Sequence, residues 1–150
     1  MSLKDRLVED MKAAMKAKEE GKVRLSVIRM ARAAIKNAEI DKKQEFNDNQ
    51  VIEVLARELK MRRDSIEEFA KANRMDLVDG LKEEVTILME YLPQQLSEEE
   101  IRSIAKEIIA ETGAQDIKDL GKVMGSITPR TKGKADGRLV NQIVRELLSL

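Results

Sequence analysis

The chain of 150 residues contains no cysteine, no histidine and no tryptophan. Without cysteine there are no disulfides and no thiolate metal ligands. Without histidine there is no imidazole to serve as base, proton shuttle or metal ligand. Zinc centres built on Cys and His, and Cys–His nucleophile pairs, are excluded together. Aromatic side chains are almost missing: Phe46, Phe69 and Tyr91 are the full set. Stacking of single-stranded nucleic acid needs several aromatics on one face, so that binding mode is excluded. No apolar run approaches the ~18 residues that a membrane-crossing helix requires. The opening stretch "MSLKDRLVED" carries acids and has no apolar h-region, so it does not read as a signal peptide. Lysine plus arginine number 28 and aspartate plus glutamate 28, giving zero formal net charge. No global field therefore draws the chain to nucleic acid or to a membrane surface. These absences lead to the expectation of a cytoplasmic protein with no metal and no cofactor.

What is present is helical. Hydrophobic residues make up 42% and charged residues 37% of the sequence, enough for a core beneath a heavily solvated surface. The apolar period is 3.6 nearly throughout, and strand alternation is nowhere sustained. The expected fold class is all-α, with four helices followed by three.

A first helix is expected over about 3–20, with Ser2 as N-cap, a Leu3, Leu7, Met11, Ala14, Met15 stripe, and Gly21 ending it. A second is expected over about 22–42, with Val23, Val27, Met30, Ala31, Ala34, Ile35 and Ala38 on one face. Lys22, Arg29, Arg32 and Lys36 fall on another face, and no acid occurs from Lys22 to Ala38. That strip is either a solvated face answered by acids of a neighbouring helix or a secondary basic surface. "NDNQ" reads as a capping box, Asn47 with Gln50, opening a third helix over about 48–73. Its stripe is Val51, Leu55, Leu59, Ile66, Phe69 and Ala70, with Arg62 in the middle. An arginine on an apolar face usually pairs with a carboxylate or snorkels. The fourth helix is expected over about 76–91, on Leu77, Leu81, Val85, Leu88 and Leu92.

Pro93 stops the fourth helix. A domain boundary is expected there, with an N-terminal helical domain at 1–92 and a three-helix domain at 93–150. Ser97 and Glu100 form a second capping box, starting a helix over about 98–112 that ends at Gly113. Asp116 caps a helix over about 117–127, and Asp136 caps the last over about 137–149.

Charge is uneven in this second part. From Ser97 to Asp119 seven acids stand against three bases. From Leu120 to Leu150 six bases stand against two acids. The basic set includes Lys122, Arg130, Lys132, Lys134 and Arg138, three of them in the expected loop between the last two helices. That loop also holds Pro129 and Gly133, with Gly137 close behind. It is either a simple turn or a phosphate cradle feeding a helix N-terminus, although Asp136 would itself occupy that terminus. It is not a P-loop, because GxxxxGK[ST] is absent and no strand precedes it. Gly121 and Gly125 lie four apart inside a helix, where each glycine costs ~1 kcal/mol against alanine. Close packing on another helix is the expected reason, and a small-residue face open to a ligand is the alternative.

Four segments carry a family resemblance: "LSVIRMARAAIKNAEI" (25–40), "KMRRDSIEEF" (60–69), "RMDLVDGLKEEVTILMEYLPQQLSEEEI" (74–101) and "GKVMGSITPRTKGKADGRLVNQIVRELL" (121–148). In this order they resemble the GatB/YqeY family, and specifically its stand-alone YqeY-like members. The resemblance implies an N-terminal helical domain joined to a tail domain like that of the tRNA-dependent amidotransferase subunit GatB, which is associated with holding tRNA. It also implies a label, carbon–nitrogen ligase with glutamine as amido-N-donor. The larger catalytic domain of GatB has no counterpart here, and neither a nucleotide-binding loop nor a serine–lysine amidase signature is present.

The expected function is therefore a non-catalytic accessory protein that binds tRNA or works beside a tRNA amidotransferase. The RNA-binding candidates are Lys122, Arg130, Lys132, Lys134 and Arg138. Arg29, Arg32 and Lys36 form a secondary basic face. Gly121, Gly125, Gly133, Asp136 and Gly137 serve turn and packing. The alternative is a helical adaptor that docks on an amidotransferase or an aminoacyl-tRNA synthetase with no RNA contact. Catalysis by carboxylates is not excluded by composition, but no paired constellation stands out.

Overall fold

Seven α-helices and two short 3-10 turns form the computed structural model, which describes residues 1–150. They divide into two units, Met1–Leu92 and Pro93–Leu150.

In the first unit, α1 (Leu3–Lys16) opens on Ser2, whose hydroxyl accepts the Asp5 N–H at 3.1 Å. It stops at Lys16, earlier than the sequence suggests, and a 3-10 turn over Lys18–Gly21 follows. Gly21 does not end α1 as expected, since the helix is capped at Ala17. The φ of Gly21 is −94°, and Lys18 takes the positive φ instead, at 54°. Glycine is needed at 21 for another reason: a Cβ there would lie 2.2 Å from the Ala14 carbonyl oxygen.

Helix α2 runs Lys22–Lys42 and α3 runs Asp48–Lys71, with both halves of the Asn47–Gln50 capping box formed. Helix α4 spans Met75–Met89. Leu7, Ile28, Ala31, Val51, Leu55 and Leu88 are at most 1% exposed and anchor the core. Three stripe positions are not buried: Met15 and Leu77, near helix ends, are 50% and 38% exposed, and Met30, in the middle of α2, is 51% exposed. Arg62 is buried within the α3 stripe and is fully answered. Its Nε donates to Glu84 at 3.1 Å, and Nη1 donates to the Glu58 carbonyl at 3.1 Å and lies 3.5 Å from the Glu58 carboxylate. Tyr91 is 4% exposed, donates its hydroxyl to Asp10, and lies under the Arg6 guanidinium at 4.5 Å. Burial and the Asp10 carboxylate push its phenol pKa far up.

In the second unit, α5 (Glu98–Thr112) has the Ser97–Glu100 capping box and ends on Gly113 at φ 70°. A 3-10 turn over Ile117–Asp119 precedes α6 (Leu120–Thr131), where one continuous helix from 117 was expected. Helix α6 also continues through Pro129, four residues past the predicted stop. Proline lacks the N–H that would bond the carbonyl four residues back. That carbonyl belongs to exposed Gly125, which has no side chain to shield it from water. Two threonine hydroxyls brace the same turn, Thr128 on the Met124 carbonyl at 2.7 Å and Thr131 on the Ile127 carbonyl at 3.2 Å. Helix α7 (Gly137–Leu148) completes the unit. Ile101, Ala105, Val123, Ile127, Ile143 and Val144 are at most 1% exposed at its centre.

Candidate functional site

Of the three candidate cations expected in the last loop, Lys132 and Lys134 lie there and Arg130 does not. Lys122 lies in the first turn of α6 and Arg130 in its last. Lys132 and Lys134 follow in the α6–α7 turn, and Arg138 is the second residue of α7. At 1.5 Å rise per residue, Lys122 and Arg130 stand about 12 Å apart along the helix. The set is therefore a strip along α6 and over its C-terminal end. All five are exposed. Arg130 reaches Glu107 of α5 at 3.3 Å, a surface pair of low energetic weight. Lys132 and Arg138 interact with neighbouring groups. Lys122 and Lys134 make no ion pair.

The turn that carries Lys132 and Lys134 is held from behind. The Leu96 N–H donates to the Lys134 carbonyl at 2.8 Å, and the Gln95 side-chain amide donates to the Gly133 carbonyl at 2.9 Å. Gly133 is buried and takes φ 76°, a conformation that glycine adopts without strain. The lysine side chains therefore project from a braced backbone. The strap from Gln95 and Leu96 carries no sequence signal, because it uses backbone carbonyls 38 residues away in the chain.

The phosphate-cradle reading of the α7 N-terminus does not hold. Asp136 accepts the Arg138 N–H at 3.0 Å and places its own negative charge there. Gly137, the first residue of α7, faces open space.

The packing explanation for Gly121 and Gly125 also fails. A Cβ at either position would meet nothing within 4 Å. With Lys122, Ser126 and Pro129 they form the exposed side of α6, while Val123, Ile127 and Thr131 are buried. Ser126 and Pro129 were missed as part of this face. A helical wheel places Ser126 there within the expected helix, and Pro129 once the wheel is extended past residue 127.

The secondary basic face lies in the first unit. Arg29, Arg32 and Lys36 line a cleft of about 620 Å³ between α1 and α2. No ion pair joins the strip to an acid of a neighbouring helix, although Asp5 of α1 lines the same cleft. Arg32 donates only to the Met11 sulfur, at 3.3 Å. Glu39, on α2 itself, accepts the Lys4 ammonium and the Phe46 N–H, each at 2.7 Å, and these hold its carboxyl below the usual carboxylate range. Nowhere do three acidic side chains converge as a metal-binding cluster. No helix is long and apolar enough to cross a membrane.

Residues 4–148 match the family described as Yqey-like protein. The chain belongs to the YqeY family. Among relatives of this YqeY-type chain is altered inheritance of mitochondria protein 41, mitochondrial, of Pyrenophora tritici-repentis, 31% identical over 146 residues. That match covers 95% of this chain and 79% of the relative. The protein of the same name from Kluyveromyces lactis is 36% identical over 130 residues, covering 83% and 69%. The GatB-type subunit of the aspartyl/glutamyl-tRNA(Asn/Gln) amidotransferase of Thermoanaerobacter is 38% identical over 77 residues. This is 47% of the YqeY chain but 16% of that relative. Most of the amidotransferase polypeptide thus lies outside the match.

Proposed function

We propose that this YqeY-family protein is a non-catalytic accessory that binds tRNA through its second unit. Lys122, Arg130, Lys132, Lys134 and Arg138 would contact phosphate and ribose, and the bare α6 surface at Gly121 and Gly125 would admit the RNA backbone. The observation that carries the reading is the pair of exposed helical glycines, flanked by Lys122 on one side and the 130–134 cations on the other. Glycine in a helix is destabilising, and no protein neighbour explains it at either position. Similarity to part of an amidotransferase polypeptide named for tRNA supports the choice of RNA. With almost no aromatics, recognition would follow RNA shape rather than base stacking. Association with a tRNA amidotransferase is the setting this suggests. The cysteine-free composition suits the cytoplasm, while the relatives described above carry a mitochondrial name.

Crosslinking in cells followed by sequencing of bound RNA tests the proposal, with a Lys132→Glu/Lys134→Glu variant as control. Enriched tRNA that the variant loses supports it. No enrichment of tRNA over the variant transfers the role to a protein adaptor.

A further inference from the structure

We propose that the α1–α2 cleft of the first unit binds a small organic acid with an anionic head and a short apolar body. Arg29, Arg32 and Lys36 recur at intervals of three and four along α2, so they share one face over about two turns. None of the three forms an ion pair, and Arg32 has only a thioether sulfur. Of the three acids in the lining, Asp5 remains as a counter-charge, Glu39 is engaged and Glu45 is withdrawn. Glu39 is bound by Lys4 and by a backbone N–H. The Glu45 side chain is 95% exposed. Asp5 sits in the first turn of α1, where the helix dipole favours its charge. The cleft thus presents Arg29 and Arg32 without a carboxylate partner, and Lys36 near Glu39, beside apolar lining from Val8 and Ala33.

Size decides what kind of occupant fits. A volume of about 620 Å³ falls within the ~300–1,000 Å³ of small-molecule sites. A stable protein partner needs about 800 Å² from each side. The eleven residues that line this one cleft fall short of that footprint, which takes about 20–30 residues a side. A nucleic-acid backbone would meet the cations but leave the apolar lining unused. An anion carrying a hydrocarbon body uses both, and guanidinium groups are suited to planar carboxylates. The inference stands on the first unit alone and is independent of RNA binding by the second.

Octanoate is the probe, titrated into the full chain and followed by amide chemical shifts. Saturable binding that moves α1 and α2 amides is expected. Arg29→Glu/Arg32→Glu should weaken it about tenfold or more, the loss of at least one charge-assisted contact. Ala33→Trp, at an exposed lining position, should block binding sterically with helicity unchanged. Lys122→Glu/Lys134→Glu should leave it intact. Octanol, the neutral counterpart, should bind at least about tenfold more weakly. The proposal is overturned by an absence of saturable binding, by octanol binding equally well, or by affinity unchanged in both cleft variants.

Discussion

Replacing Gly121 and Gly125 with alanine should raise stability and lower RNA affinity in one protein. Both glycines are helical and lie on the solvent side of α6, and an added Cβ at either meets nothing within 4 Å. No steric cost offsets the gain in helix propensity. That gain is about 1 kcal/mol for an interior position such as Gly125, and less for Gly121 in the first turn. The pair should therefore stabilise the second unit by about 1–2 kcal/mol. For a unit of this size each kcal/mol corresponds to about 4–8 °C in melting temperature. Amide hydrogen exchange over α6 and α7 is the suitable assay, because it reads the second unit separately from the first. Each new methyl carbon stands about 1.5 Å off the backbone. Displacing one phosphate contact that involves a charged donor should cost about tenfold in affinity. If alanine destabilises α6, the glycines are packed and the surface has been misread. If stability rises and RNA affinity is unchanged, the glycine face is not the contact.

Further outcomes follow from the same physics. Gly21→Ala should destabilise the first unit by about 1–3 kcal/mol in urea unfolding, because the new Cβ collides with the Ala14 backbone. Arg62→Ala strands the Glu58 and Glu84 carboxylates. Side-chain exposures of 12% and 27% let water recover part of the loss, so about 2–3 kcal/mol by urea unfolding is expected, below the ~3–5 of a fully buried pair. Tyr91 is the only tyrosine and there is no tryptophan, so phenolate absorbance reads this one group. Its folded pKa is raised, so the stability it confers is present below about pH 10 and lost above it. The folded protein should show almost no phenolate at pH values where a free tyrosine is half ionised. Glu39 has a lowered folded pKa, so its contribution is present above its ordinary value of 4.5 and lost as pH falls through the lower folded value. Glu39→Gln should flatten that acid limb in pH-dependent melting.

Local capping and periodicity made most of the helix boundaries readable. Asn47, Ser97, Gly113 and Asp136 act where their chemistry suggests, because each needs only partners a few residues away. Gly21 and Pro129 misled for the opposite reason. Their roles depend on the Ala14 backbone and on an open, solvated α6 face, neither of which is a property of neighbouring residues. Arg62 was legible as a paired arginine, but its partner Glu84 lies on another helix. The basic residues of the candidate site could be named from composition. Their spread along α6, the brace from Gln95 and Leu96, and the occupation of the α7 terminus by Asp136 required the fold. The α1–α2 cleft was visible only as a strip of cations, because its other wall comes from a separate helix.

The most direct test of the account is fluorescence anisotropy of labelled bulk tRNA titrated with the purified chain at several salt concentrations. Saturable binding is expected, with affinity falling steeply as salt rises, since phosphate contacts release counterions. Lys122→Glu/Lys134→Glu should abolish it while circular dichroism stays unchanged. Binding that this variant leaves intact, or no saturable binding at low salt, would contradict the central claim.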